Sequence, residues 1–171
     1  QERFPPLRFR PIFAVLGLLL LVLSGLMLIP LGVAWSLDSA EEYPAFILSS
    51  VITFLVGGVF WVLNNKTIGL LRAREAFAVV GMSWLLASFF GALPFWYAPS
   101  GIPSLLDACF ETMSGFTTTG ATILQDIEAL TPGLLFWRNL TQWFGGMGFV
   151  LLTLAVMPLI GSGSVHMFRA E

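Results

Sequence analysis

The chain has 171 residues, of which 57% are hydrophobic and only 11% are charged, and its formal net charge at pH 7 is −2. Because soluble domains carry about 25% charged residues, this composition excludes a water-soluble protein, which would lack polar surface. The sequence also lacks the alternating strands of about ten residues that a transmembrane barrel requires. It therefore predicts an all-α integral membrane protein.

Long runs without charge place the predicted membrane helices. A helix that spans a bilayer needs about 20 apolar residues. Four charge-free runs reach that length, namely Pro11–Leu37, Tyr43–Asn65, Ala76–Leu106 and Asn139–Val165. The third is too long for one helix and must turn near its helix-breaking residues, which are Pro94, Pro99, Gly101 and Pro103. We therefore expect two transmembrane helices in residues 1–75, and a second region, residues 76–171, that begins and ends with a membrane helix.

The charged residues indicate how the helices are oriented. If successive helices cross in alternate directions, one side of the membrane carries seven of the eight basic residues: Arg3, Arg8, Arg10, Lys66, Arg72, Arg74 and Arg169. The other side carries Arg138 alone, together with most of the acidic residues. Cytoplasmic loops are enriched in arginine and lysine. Both termini are therefore predicted to lie in the cytoplasm.

The segment from Asp107 to Asp126 begins and ends on the outer side, and it is too short to cross. It either lies on the surface or dips into the membrane and returns. Irregular backbone at membrane depth has unpaired polar groups, so it is tolerated only where it is buried in protein or lines an aqueous cavity.

Residues from about 104 to 115 read as a short helix. Pro103 precedes it, Ser104 can cap its N-terminus and Asp107 lies in its first turn. Apolar residues then recur every three to four positions, as on one face of a helix. Gly115 is expected to end the helix, as glycine often does.

The next residues, from about 116 to 122, have a low propensity to form a helix. Three consecutive threonines favour extended backbone because they are β-branched, and Gly120 permits a conformation that other residues resist. Extended backbone after a helix C-terminus presents carbonyl oxygens in single file, which can replace the water shell of a monovalent cation. The alternative is an ordinary surface loop, since Thr-Thr-Thr-Gly alone is of low complexity. Acidic residues on the outer side favour the cation, because they concentrate cations there.

Two longer stretches point to a family. The sequences DACFETMSGFTTTGATIL and WRNLTQWFGGMGFVLLTLAVMPLIGSGSVHMFRAE resemble the first membrane-pore-membrane repeat of the Trk/Ktr-type bacterial potassium transporters, over about Ala76 to Glu171. The two preceding helices resemble the additional N-terminal pair of the Trk-type pore subunit. The resemblance implies a helix–pore helix–filter–helix repeat. It also implies potassium uptake across the bacterial cytoplasmic (inner) membrane through a filter built of backbone carbonyls.

The resemblance assigns roles to individual residues. Gly120 matches the glycine of the selectivity filter, and the carbonyls that line the filter would come from Thr117, Thr118, Thr119, Gly120 and Ala121. Potassium, as the substrate, would be bound by the backbone carbonyls of Thr118, Thr119 and Gly120. Compared with the Thr-Val-Gly-Tyr-Gly filter of potassium channels, this chain keeps only the first threonine and the central glycine. We therefore expect some sodium to pass as well.

The family's pore subunit carries four such repeats, whereas this chain contains one and begins without methionine. It is expected to be the first part of a longer protein, and a homotetramer of single repeats is the alternative. The resemblance further implies an oligomer and a cytoplasmic nucleotide-binding regulatory subunit as a partner. The chain itself lacks a phosphate-binding glycine motif followed by Lys-Ser/Thr. No cofactor in this chain and no nucleic-acid partner are expected.

Arg138 is the single basic residue predicted on the outer side. Glu111 and Asp107, on the predicted short helix, are its available partners. A bridge between Arg138 and Glu111 would brace the short helix against the last membrane helix, and partial removal from water would make it stronger than a surface pair. The alternative is that Arg138 reaches the lipid headgroups.

Tryptophans and glycines suggest structural roles. Trp137 and Trp143, among other tryptophans, are expected at the membrane interface. Gly57, Gly58 and Gly145 are expected to let membrane helices pack closely. For Gly145 and the glycines beside it, a bend in the last helix is the alternative.

Two other functions compete with potassium uptake. A membrane-embedded enzyme would need a nucleophile and a base within the membrane, and no histidine or lysine lies in any predicted span. The chain is therefore predicted not to be an enzyme. A non-conducting assembly subunit is the second alternative that the sequence leaves open.

Overall fold

The computed structural model describes residues 8–67 and 73–148. Its regular elements are α1 (Phe9–Leu26), α2 (Leu28–Ser36), α3 (Tyr43–Asn64), α4 (Ala73–Tyr97), α5 (Leu105–Phe116) and α6 (132–148), with 3₁₀ turns at Ala40–Glu42 and Asn65–Thr67. These described residues contain helices and no strands, so the predicted all-α class is confirmed. The predictions for the C-terminal part of the run Asn139–Val165, and for Arg3, Arg72 and Arg169, concern residues outside the described part of the chain.

Three stretches of the described chain are long and apolar enough to cross a membrane: Phe9–Ser36, Ala40–Asn64 and Arg74–Tyr97. The first joins α1 and α2, which are separated at Met27. Pro30 explains the interruption, because it has no N–H for the carbonyl four residues earlier and its ring crowds that carbonyl. The first predicted run is therefore one membrane-length stretch made of two helices.

Glycines let α1 and α3 pack closely. A Cβ at Gly17 would collide with the backbone of Trp61 and Gly57, and a Cβ at Gly57 would press on the backbone of α1. The packing role predicted for Gly57 is therefore confirmed. At Gly58, in contrast, a Cβ would meet no described atom within 4 Å.

The chain turns between α4 and α5 in residues 98–104. Pro94 lies inside α4 and not in this turn, contrary to the sequence prediction; its missing N–H affects the helix only one turn before its end. The Ile102 N–H donates to the Phe95 carbonyl at 2.8 Å. Gly101 lies so close to the same carbonyl that a Cβ would collide with it. This tight turn returns the chain so that α5 packs against α4.

The core of the described part draws side chains from α1, α3, α4, α5 and α6, with Leu20, Phe46 and Trp137 among those that are fully buried. α3 also exposes large apolar side chains, such as Leu63, which is 73% exposed. Such a surface suits a helix that faces lipid tails, which are as apolar as leucine. Among the described residues, every buried polar side-chain atom has a hydrogen-bond partner.

Candidate functional site

Ser104 caps the N-terminus of α5. The Asp107 N–H donates to the Ser104 hydroxyl at 3.4 Å, and the Ala108 N–H donates to the Ser104 carbonyl at 2.9 Å. The Asp107 carboxylate lies in the first turn, where the helix dipole favours a negative charge. The start of α5 is therefore determined by residues that are adjacent in the sequence.

The C-terminus of α5 is closed by two backbone hydrogen bonds. The Thr118 N–H donates to the Gly115 carbonyl at 2.9 Å, and the Thr119 N–H donates to the Ser114 carbonyl at 3.0 Å. This Schellman motif has a residue in the left-handed conformation, here Thr118 with φ 55°. Gly115 does not end the helix, contrary to the sequence prediction, and α5 continues to Phe116.

Gly115 serves close packing instead. A Cβ at Gly115 would collide with the Thr141 hydroxyl of α6, and a Cβ at Gly145 of α6 would collide with the Phe116 backbone. α6 therefore passes directly against the end of α5. The packing interpretation of Gly145 is confirmed.

The backbone that follows α5 is not uniformly extended. Thr117 is in the right-handed helical region and Thr118 is left-handed, so these two residues complete a turn and the prediction of extended backbone from Thr117 is wrong. A β-branched residue at positive φ is a rare outlier. Gly120 also has a positive φ, 75°. The residues from 119 to 124 form neither a helix nor a turn, so this segment begins later than residue 116, from which the sequence predicts it.

The carbonyls of the five predicted filter residues fall into two groups. Those at the two ends accept hydrogen bonds from hydroxyl groups: Thr117 from Thr118 at 2.7 Å, and Ala121 from Ser114. Among the described residues, none donates to the carbonyls of Thr118, Thr119 or Gly120. All five residues are exposed. The three carbonyls that the sequence predicts as potassium ligands are therefore the ones left available.

Glu111 joins α5, α6 and the segment after the predicted filter. Its Oε1 accepts a hydrogen bond from Arg138 Nε at 2.6 Å, and both side chains are buried, at 1% and 10% exposure. Its Oε2 accepts from the Thr122 hydroxyl at 2.9 Å and from the Ile123 N–H at 3.2 Å. Asp107, the other partner considered for Arg138, is exposed. One buried carboxylate thus fixes the backbone just beyond the predicted filter.

The start of α6 depends on a residue from the N-terminal region. Glu42 is fully buried, and its carboxylate accepts from the Gly133 N–H at 3.2 Å and the Leu134 N–H at 2.9 Å. A Cβ at Gly133 would collide with this carboxylate. Sequence reasoning missed this contact, because the partners are 91 and 92 positions apart.

Trp137 is buried at 1% exposure, and its indole N–H donates to the Gly91 carbonyl at 2.8 Å. The prediction of an interfacial position for Trp137 is therefore wrong. Its large ring fills the space between α4 and α6, and the helix carbonyl satisfies its one polar group. Trp143 is 60% exposed, as an interfacial residue would be.

The described residues contain no group of three or more His, Cys, Asp or Glu side chains placed to hold a metal ion. The site instead offers neutral backbone oxygens beyond the C-terminal end of a helix dipole, which carries negative partial charge. Neutral oxygens at the negative end of a helix suit a weakly held monovalent cation. The chemistry available is binding and release of an ion.

The chain is similar to known proteins in both sequence and fold. Residues 42–171 match the model of the family described as TrkH, cation transport protein. Over 165 residues the chain is 40% identical to the Trk system potassium uptake protein TrkH of Escherichia coli strain K12, an alignment that covers 96% of this chain and 34% of that protein. Over 155 residues it is 35% identical to TrkG of the same strain, covering 91% and 32% of the two chains.

The fold also resembles a solved structure. The crystal structure of the potassium transporter TrkH from Vibrio parahaemolyticus matches with a TM-score of 0.84 at 35% identity, over 91% of this chain and 33% of that one. The described fold is that of an all-α membrane protein. The chain belongs to the TrkH family of cation transport proteins, which confirms the resemblance seen in the sequence. It spans about a third of the length of the relatives that it matches, 34% of TrkH from Escherichia coli.

Proposed function

We propose that this chain forms one part of the wall of a potassium pore and takes part in potassium uptake. Potassium, the substrate, binds to the backbone carbonyls of Thr118, Thr119 and Gly120 after it loses water. Sodium passes less readily through the same carbonyls. The relatives support this proposal, because they are named as potassium uptake proteins, and none of those compared is named as an enzyme.

The observation that carries the proposal is the hydrogen-bond pattern around residues 117–121. The carbonyls at the two ends of this segment are occupied, and the three between them accept no hydrogen bond from the described residues. Unpaired carbonyls at membrane depth are unfavourable unless they line a cavity. An ion that gives up its water shell is a partner that would satisfy them.

The rest of the assembly is part of the same proposal. Three carbonyls from one chain cannot surround a potassium ion, so further oxygen donors must come from similar segments. We take these to be later repeats of a four-repeat pore subunit, of which this chain is the first part. An oligomer and a cytoplasmic nucleotide-binding regulatory subunit complete the assembly that the family resemblance implies.

The test is a flux measurement on the full-length protein. Purified protein in liposomes loaded with potassium is expected to take up radioactive rubidium from outside, and potassium added outside should compete better than sodium. Empty liposomes are the control. Uptake no greater than in empty liposomes would contradict the proposal and would favour the alternative, a non-conducting assembly subunit.

The proposed location is the bacterial cytoplasmic (inner) membrane, with both termini in the cytoplasm. Seven of the eight basic residues support this orientation through the positive-inside rule. The loops that carry Glu41 and Asp126 then face outward, and the 3₁₀ turn that carries Lys66 faces the cytoplasm.

Cysteine labelling in intact cells tests the orientation. In a Cys109→Ala background, Glu41→Cys and Asp126→Cys are expected to react with a membrane-impermeant thiol reagent, because both positions are exposed and outside. Lys66→Cys, equally exposed, should react only after the cells are opened. Labelling of Lys66→Cys in intact cells, with no labelling of the other two, would reverse the orientation.

A further inference from the structure

Glu42 is a carboxylate that the proposed ion path does not use. It is fully buried, and its two oxygens accept hydrogen bonds from two consecutive N–H groups, those of Gly133 and Leu134, at the start of α6. These N–H groups have no partner inside their own helix, and the positive end of the helix dipole lies there. A carboxylate in this position binds them by charge-assisted hydrogen bonds.

The position of Glu42 in its own region gives it no comparable role. Glu42 directly precedes α3, yet its side chain makes no capping hydrogen bond to that helix. Its neighbour Glu41 is exposed. Gly133 leaves space for the Glu42 carboxylate, since a Cβ at Gly133 would collide with it. The Glu42 side chain is therefore not used by α3, and Gly133 leaves room for it, so the contact connects the N-terminal helices to α6.

The contact continues toward the candidate filter. Arg138 lies one helical turn beyond Leu134, on the same side of α6. Arg138 binds Glu111 at 2.6 Å, and Glu111 binds the Thr122 hydroxyl and the Ile123 N–H. A shift or rotation of the first turn of α6 would therefore move the group that fixes the end of the filter segment.

We propose that Glu42 is a positioning residue for ion selection: by holding the N-terminus of α6, it sets the place at which Arg138 and Glu111 fix the backbone after Gly120. This inference rests on the proposed function, since it assumes that the backbone before Thr122 selects the ion. It assigns the N-terminal helix pair a part in selectivity.

The experiment compares Glu42→Gln, Glu42→Ala and the matched control Glu41→Gln in the full-length protein. Glutamine keeps the shape of Glu42 but opposes an NH₂ group to one of the two N–H donors, so one hydrogen bond is lost. Glu41→Gln removes the same charge one residue away at an exposed position. The readouts are the KM for rubidium uptake, the potassium/sodium preference, and the amount of folded protein by size-exclusion chromatography in detergent.

Glu42→Gln is expected to raise KM or lower the potassium/sodium preference by about threefold to tenfold, the range that one lost hydrogen bond corresponds to. Glu41→Gln is expected to match the wild type in all three readouts. If Glu42→Gln changes only the amount of folded protein, and leaves KM and preference unchanged, Glu42 is structural and the inference is overturned. Where Glu42→Ala does not accumulate, Glu42→Gln decides the question. Loss of uptake by the wild type itself would instead contradict the proposed function.

Discussion

Replacing Gly120 by serine is expected to leave the protein folded in the membrane while it lowers rubidium uptake, or the potassium/sodium preference, by about fivefold to thirtyfold. Gly120 has φ 75°, and a side chain held in left-handed backbone costs about 1–2 kcal/mol. No described atom lies within 4 Å of a Cβ at this position. Within this chain the effect therefore comes from backbone strain, which turns the neighbouring carbonyls away from the ion.

The measurement is rubidium uptake per amount of folded full-length protein, in cells that lack other potassium uptake systems. Gly58→Ser is the matched control, because Gly58 also has open space around a Cβ but lies in the regular helix α3. Thr118→Val is expected to have a smaller effect, since it removes the hydroxyl and keeps the carbonyl. Unchanged uptake and unchanged preference in Gly120→Ser would mean that Gly120 is not a filter residue.

Replacing Arg138 by alanine is expected to destabilise the protein by about 3–5 kcal/mol, because it leaves the buried Glu111 carboxylate without its charged partner. Transport should fall as well, since Glu111 also holds Thr122 and Ile123. Thermal unfolding of the full-length protein in detergent measures the first effect and rubidium uptake the second. Asp107→Asn is the control, an exposed carboxylate on the same helix whose loss should cost about 1 kcal/mol or less.

Exchanging the two charges separates stability from transport. In Glu111→Arg/Arg138→Glu the opposite charges still face each other, so stability should recover in part relative to the single variants. The carboxylate would then project from α6, and the hydrogen bonds to Thr122 and Ile123 would not be restored. Uptake is therefore expected to stay low. Strictly additive losses of stability in the double-mutant cycle would show that Glu111 and Arg138 do not stabilise each other.

The sequence predicts those features of the site that depend on neighbouring residues. The N-terminus of α5 follows from Ser104 and Asp107, which lie within one turn of each other. The pairing of Arg138 with Glu111 could be proposed because an outer arginine in an apolar run has few possible partners. The helix start is thus predicted from a local sequence pattern, and the ion pair from the small number of possible partners.

The features that the sequence did not predict depend on contacts between distant helices. Gly115 resembles a helix end locally, but α6 passes so close that glycine is required there within the helix. Trp137 resembles an interfacial anchor until α4 supplies a buried carbonyl for its indole N–H. Glu42 resembles a residue that would cap α3, which follows it directly. No local sequence pattern predicts the roles of these three residues, because each role depends on which distant helix packs against the residue.

The separation between Glu42 and its partners limits when their contact can form during synthesis. Glu42 leaves the ribosome 91 residues before Gly133. The segments of α1 and α3 that pack at Gly17 and Gly57 are both made before Gly133, so that packing does not depend on α6. The hydrogen bonds of Glu42, in contrast, can form only after the first turn of α6 has been synthesised.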